Sequence, residues 1–119
     1  MPVSLSNIDA LARMIDVAEQ RHSVISQNIA NVNTPGYRAR DLEFEAALAG
    51  QLRGNGDSPV TETETQIVYQ AGLSVRTDGN NVDLDREVGQ LNQNALLHQT
   101  YTQVLAGYFD AMRRAIRTE

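Results

Sequence analysis

Asn28-Ile29-Ala30-Asn31-Val32-Asn33-Thr34-Pro35-Gly36-Tyr37 is where one regular pattern stops and another kind of chain begins. Its three asparagines favour side-chain bonds to nearby backbone over continued helix. Pro35 forces the residue before it out of the α region, so a helix running into this string must end ahead of it. Thr34-Pro35-Gly36-Tyr37 then has the residues of a type II turn: proline fixes φ at the first central position and glycine supplies positive φ at the second. Tyr37 follows as an anchor that can bury its ring and bond through its hydroxyl.

Upstream, Ile8, Leu11, Ile15, Ala18, His22, Ile25, Ile29 and Val32 recur at alternating spacings of three and four. That is the 3.5-residue period of a coiled-coil seam. It predicts a helix from about 6 to 31, roughly 39 Å long, with Ser6 or Asn7 as its cap. Near the other end, Val88, Leu91, Ala95, His98, Thr102, Leu105, Phe109, Met112 and Ile116 repeat the pattern. The spacing predicts a second helix from about 84 to 117, roughly 50 Å long. Asp83 or Asp85 serves as its cap and Glu87 supports its first turn through the macrodipole. A second stripe, Leu97, Tyr101, Val104, Tyr108, Ala111 and Ala115, runs along the same helix. Paired as an antiparallel hairpin, the two helices bury one seam and leave that second stripe for other partners.

The expected fold is therefore mainly α. Residues 1–37 hold the first helix and the Asn/Thr-Pro-Gly-Tyr junction, 38–82 an extended middle, and 83–119 the second helix. The two terminal segments form one inner domain. In the middle, a short helix is expected from Leu42 to 53 and a loop over 54–66. A small β-hairpin is expected from Gln66–Tyr69 and Leu73–Arg76, around a turn ending in Gly72.

Charge divides along the same lines. The 119 residues carry a formal net charge of −5, with 10 Lys+Arg against 15 Asp+Glu. All the basic residues are arginine, and the net charge sits in residues 38–87, the middle region and the start of the second helix. His22–Tyr37 and Val88–Phe109 carry no charged residue if histidine is neutral. A solvated helix face ordinarily carries Lys and Glu, so helices without charge on any side point to neighbours all round. An acidic chain without a basic stripe is not built to hold nucleic acid. The absence of cysteine excludes disulfides, thiolate metal sites and cysteine nucleophiles. No apolar run is long enough to span a bilayer, and the N-terminus lacks the pattern of a cleaved signal peptide.

Catalytic chemistry finds little support. His22 and His98 fall on helix seams and read as core or interface residues; side by side they would still be too few ligands for a metal. Asp41, Glu43 and Glu45 alternate with Leu42 and Phe44 and read as a solvated face. No phosphate loop, nucleophile elbow or spaced carboxylate pair is present. No cofactor is expected.

The junction itself is more specific than a helix stop. Asn28, Ala30, Asn31, Thr34, Pro35, Gly36 and Tyr37 resemble the N-terminal signature of the flagellar rod, hook and hook-associated proteins. Gly79 to Glu87, with Asn81, Val82 and Asp83 at its centre, resembles the segment that leads into the C-terminal helix of the proximal rod members. The resemblance covers both helices and both junctions, roughly 75 residues. It implies a structural subunit rather than an enzyme, exported by the flagellar type III system without a cleaved signal. Such a subunit polymerises helically into the periplasmic rod of the basal body, which transmits torque and encloses the export channel. The implied partners are other copies, other rod proteins, a FliE-like adaptor, the MS ring and the export gate, with no membrane insertion. The helix seams read from the heptads, Ile8, Leu11, Ile15, Ile25 and Ile29 on the first helix and Leu91, Leu105, Phe109, Met112 and Ile116 on the second, are the expected assembly surfaces. Another proximal rod protein of the family, or a generic coiled-coil adaptor, remains an alternative.

Overall fold

The computed structural model describes residues 5–53 and 63–117. Helix α1 spans Leu5–Ala30, strand β1 Arg40–Glu43, helix α2 Glu45–Arg53, strand β2 Gln66–Tyr69 and helix α3 Leu84–Arg117. Both long helices lie within a residue or so of the bounds that their heptads predict. α1 already begins at Leu5, so Ser6 and Asn7 both lie inside its first turn rather than capping it. Asp83 caps α3: its Oδ1 accepts from the Arg86 amide at 3.3 Å, and its carbonyl accepts the first intrahelical bond from Glu87 at 3.0 Å.

The helices run antiparallel. Asn28 meets Glu87 near the turn end, Asn94 donates to the Ala18 carbonyl at 2.7 Å, and His98 Nε2 lies 3.5 Å from Glu19 Oε1. Along α3 the inward row is Glu87, Leu91, Asn94, His98, Tyr101, Leu105, Tyr108 and Met112, all buried or half-buried. This register corrects the expected seam. It keeps Leu91, His98, Leu105 and Met112 but takes Tyr101 and Tyr108 from the second stripe. Phe109 and Ile116 are left outside, 46% and 79% exposed. On α1, Ile25 is buried, Ile8, Leu11, Ile15 and Ile29 are half-buried, and His22 faces solvent.

The middle departs furthest from expectation. The two-stranded antiparallel sheet is present, but β2 pairs with β1, with Arg40 opposite Tyr69 and Glu43 opposite Gln66. Leu73–Arg76 is irregular, so no hairpin forms around Gly72, although Gly72 has the positive φ foreseen for it, 76°. The helix expected from Leu42 starts instead at Glu45, because Arg40–Glu43 is drawn into the sheet. That pairing turns Leu42 and Phe44 inward while Glu43 and Glu45 face out. The loop expected over 54–66 lies outside the described residues for 54–62, and its end enters β2.

The apolar core is small. Val17, Val24, Leu42 and Phe44 form it, with Met14 and Leu48 packed alongside. Arg21 ties α2 to α1 through an ion pair with Glu45 at 2.6 Å and a bond to the Leu42 carbonyl at 3.2 Å. Burial raises the Glu45 carboxyl, but the Arg21 hydrogen bond and charge, together with backbone hydrogen bonds at Glu45 and Phe44, outweigh it and hold the group below its usual range. Of the largest fully buried side chains, Phe44, Glu87, Asn28 and Asn80, three are polar. The centre of this protein is thus a hydrogen-bonded junction rather than an oil-like core.

Candidate functional site: a polar clasp between the helix ends

The clasp forms where α1 ends and α3 begins. Asn28 lies at its middle and is fully buried. Its Nδ2 donates to the Arg40 carbonyl at 2.7 Å and to Glu87 Oε2 at 3.1 Å. Its Oδ1 accepts from the Tyr37 hydroxyl at 2.9 Å and from the Arg40 amide at 3.0 Å. One side chain thus joins the last turn of α1, the chain after the turn, β1 and the first turn of α3. The second oxygen of Glu87, also fully buried, accepts from Gln70 Nε2 at 2.9 Å. Gln70 also donates to the Arg40 carbonyl at 3.1 Å.

Asn80 and Asn81 close the other side. The Asn80 amide nitrogen donates to three carbonyls at the frayed end of α1, Asn31 at 2.8 Å, Val32 at 3.2 Å and Thr34 at 2.8 Å. Those carbonyls lie in the turn that follows α1, so the exit from the helix is tied down by a residue 46–49 positions away. Asn80 Oδ1 accepts from the Val82 amide at 2.7 Å, which sets the lead into α3. Asn81 Oδ1 accepts from the Ala39 amide at 2.6 Å. Arg76 adds a bond to the Val32 carbonyl.

The turn residues hold the approach. Tyr37 N donates to the Thr34 carbonyl at 3.2 Å and Gly36 has φ 75°, the turn that Thr34-Pro35-Gly36-Tyr37 demands. Gly36 N donates to the Asp78 carbonyl at 2.8 Å, docking this turn onto the one at Gly79. A Cβ at Gly79, itself at φ +85°, would sit 3.3 Å from Gly36 Cα. Two glycines are therefore needed where the two turns touch. Tyr37 is half-buried, and its hydroxyl is pushed above its ordinary pKa, chiefly by burial; Arg40 opposes this, while Glu87 and Tyr69 add to it.

Of the residues singled out in the sequence, the clasp unites Asn28, Asn31, Thr34, Gly36, Tyr37, Asn81, Val82 and Asp83. Ala30 and Pro35 are exposed beside it and join none of its hydrogen bonds. Glu87, Gln70 and Asn80 do central work there that sequence reasoning did not assign. For Glu87 the available signal was its spacing, four residues ahead of Leu91 on the inward row. His22 and His98 line one cavity between the helices, with Glu19 and Asn94. Among the described residues no group of three or more metal-ligating side chains comes together, and no helix is long and apolar enough to cross a membrane.

The described residues thus form a helical hairpin closed at its turn end by buried asparagines. The protein family described as "Flagella basal body rod protein" matches residues 17–38, from the middle of α1 through the Thr-Pro-Gly-Tyr turn. Whole-chain relatives are more particular. The flagellar basal body rod protein FlgB of Escherichia coli is 31% identical, over 96% of this chain and 98% of its own. FlgB of Bacillus subtilis is 28% identical over 98% and 97%, and FlgB of Borreliella burgdorferi 29% over 93% and 96%. The chain belongs to the FlgB family of flagellar basal body rod proteins.

Proposed function

We propose that this chain is a subunit of the proximal rod, exported by the flagellar type III system without a cleaved signal and polymerised helically in the periplasm. There it contributes to a shaft that transmits torque and encloses the export channel. Its neighbours are other copies, other rod proteins, a FliE-like adaptor, the MS ring and the export gate. The observation that carries this reading is the contrast between the two parts of the hairpin. The clasp is dense with internal bonds, whereas α3 exposes Leu84, Val88, Leu96, Leu97, Val104, Phe109 and Ile116 along its length. Apolar exposure on this scale marks an interaction surface, and a helix left so uncovered gains order from neighbours. In this reading the clasp residues preset the hairpin, and the seam and stripe residues of α3 are shared with adjacent subunits.

The test is a deletion strain complemented in trans, examined for swimming and by electron microscopy of basal bodies. Loss of the rod with the membrane ring retained is the expected result. Intact rods and normal swimming would overturn the proposal.

A further inference from the structure

The small sheet of the middle region ends on an open edge. β1 is the strand that packs inward, with Leu42 buried and Ala39, just ahead of the strand, buried too. β2 pairs with β1 on one side and, among the described residues, has no strand on the other. The register fixes what that edge offers. Gln70 N donates to the Ala39 carbonyl at 2.9 Å, so these two residues form a hydrogen-bonded pair. Bonded and non-bonded pairs alternate along an antiparallel ladder. Asp41–Val68 and Glu43–Gln66 are therefore bonded pairs, whereas Arg40–Tyr69 and Leu42–Ile67 are not. The backbone N–H and C=O groups of Ile67 and Tyr69 point away from β1.

Proteins ordinarily blunt such an edge with charge, proline or a bulge. Gln66-Ile67-Val68-Tyr69 has neither charge nor proline, and its register with β1 is unbroken. Ile67 and Tyr69 are 59% and 62% exposed. Charge marks the two ends instead. At the Tyr69 end, the Arg38 guanidinium lies 5.1 Å from the Tyr69 ring centroid. Arg38 and its neighbour Arg40 are exposed, and neither makes an ion pair with a described residue. At the Gln66 end stand the exposed Glu43 and Glu64.

We propose that this edge pairs antiparallel with the same edge of a second copy, about a two-fold axis at Val68, to give a four-stranded sheet. The occupant is a second copy because the edge complements itself. With Val68 opposite Val68, Ile67 lies opposite the partner's Tyr69, so the outward groups of each strand meet those of the other. The same register carries Arg38 of each chain to the end where the other holds Glu43 and Glu64. Ile67 also borders a cleft of ≈ 270 Å³ between β2 and α1, lined in part by Val24, Leu42 and Gln27, and the partner's Tyr69 arrives at its mouth. A two-fold contact of this kind is isologous and closes on itself. It therefore belongs to the free chain, where it covers an edge otherwise open to unspecific pairing, and it stands independently of the rod reading.

The test uses the purified full chain, which has no cysteine of its own. Wild type should sediment as a concentration-dependent dimer. Val68→Cys should form a disulfide-linked dimer rapidly on mild oxidation, because Cα atoms of a non-bonded antiparallel pair lie about 4.5 Å apart, within disulfide reach. Val75→Cys, equally exposed to solvent but off the edge, is the collision control. In the Val68→Cys background, Ile67→Pro removes one outward N–H and spares the ladder with β1, and should abolish the cross-link with far-UV circular dichroism unchanged. Arg38→Glu should slow cross-linking several-fold, and Glu64→Arg in the same chain should restore it. Equal rates for Val68→Cys and Val75→Cys would overturn the proposal, as would a wild-type chain that stays monomeric at millimolar concentration. A cross-link indifferent to both Ile67→Pro and Arg38→Glu would overturn it too, and failure of the double reversal to restore the rate would overturn the two-fold register.

Discussion

Removing the Asn28 side chain measures the clasp most directly. In Asn28→Ala the Arg40 carbonyl keeps its bond from Gln70. The Arg40 amide, the Tyr37 hydroxyl and Glu87 Oε2 each lose a partner. A neutral hydrogen bond contributes about 1 kcal/mol net, one to a charged group about 1.5–3 kcal/mol, and a buried group left unpaired costs as much again. Tyr37 is half-buried and can turn to water, so the expected loss is about 3–4 kcal/mol. A protein of this length has a total stability of roughly 6–18 kcal/mol at 0.05–0.15 per residue, so the variant loses a large share of it. Urea unfolding followed by far-UV circular dichroism and tyrosine emission gives the number; there is no tryptophan to obscure the tyrosines. Asn28→Asp adds a sign test. It would place a second carboxylate about where Nδ2 sits, 3.1 Å from Glu87 Oε2. Two carboxylates that close cannot both ionise cheaply, so the pair titrates above the usual carboxylate range. A folded-state value above the unfolded one means full stability below the unfolded value, lost as pH rises through the folded one. The Asn28→Asp deficit relative to wild type should therefore shrink as pH falls from about 8 towards 5. A loss below about 1 kcal/mol in Asn28→Ala, or a deficit in Asn28→Asp that ignores pH, would refute the clasp as the structural centre.

Three further outcomes follow from the same geometry. Gly36→Val should cost about 1–3 kcal/mol through backbone strain alone, since nothing lies within 4 Å of the new Cβ, and Gly36→Asn should cost clearly less because asparagine tolerates positive φ; equal losses in urea titrations would count against the turn assignment. Ile25→Asp should destabilise the isolated chain by at least about 3 kcal/mol, because a charge enters a buried site, while Ile116→Asp leaves its melting unchanged and impairs assembly; a large drop in melting temperature for Ile116→Asp would contradict the exposure of that tip. The Tyr37 hydroxyl, raised by burial and by Glu87, should titrate above the ordinary tyrosine value near 10.0 in ultraviolet difference spectra against Tyr37→Phe. The clasp's stability contribution from that group is full below the unfolded value and is lost as pH climbs past it.

The two long helices were readable because their heptads span most of each helix, and a period of 3.5 over so many residues has few other solutions. The Thr34–Tyr37 turn was readable because proline and glycine each leave one backbone choice. β1 was not. Arg40-Asp41-Leu42-Glu43-Phe44 alternates as a strand should, but a short alternating run also fits the start of a helix. Its partner, Gln66–Tyr69, lies more than twenty residues away, and sequence patterning carries no term for that distance. The same limit hid Glu87. A glutamate in a first helical turn reads as a favourable interaction with the dipole, and its burial depends on two amides, Asn28 and Gln70, that arrive from other elements. Asn28 itself stood out in the sequence, though nothing there said that its side chain would bond to four different groups.

The polar residues on the inward face also explain how a helical hairpin with so small an apolar core finds one register. Glu87, Asn94 and His98 occupy three of the four inward positions nearest the clasp, Leu91 being the fourth, where apolar side chains would bury more surface and bind more tightly. Each finds its partners in this register: Glu87 the Asn28 and Gln70 amides, Asn94 the Ala18 carbonyl, His98 the Glu19 carboxylate. Sliding α3 by a heptad would take the Glu87 carboxylate from both of its amide donors and leave it buried without partners, a cost of several kcal/mol that no gain in apolar contact at the far end recovers. A polar position in a coiled coil is best attested in this role, fixing register at the expense of stability. Beyond His98 the inward row is Tyr101, Leu105, Tyr108 and Met112, which packs without such a match and tolerates small adjustments. If the chain polymerises as proposed, the first property gives every copy the same shape, and the second leaves the rest of the packing to the neighbours that complete it.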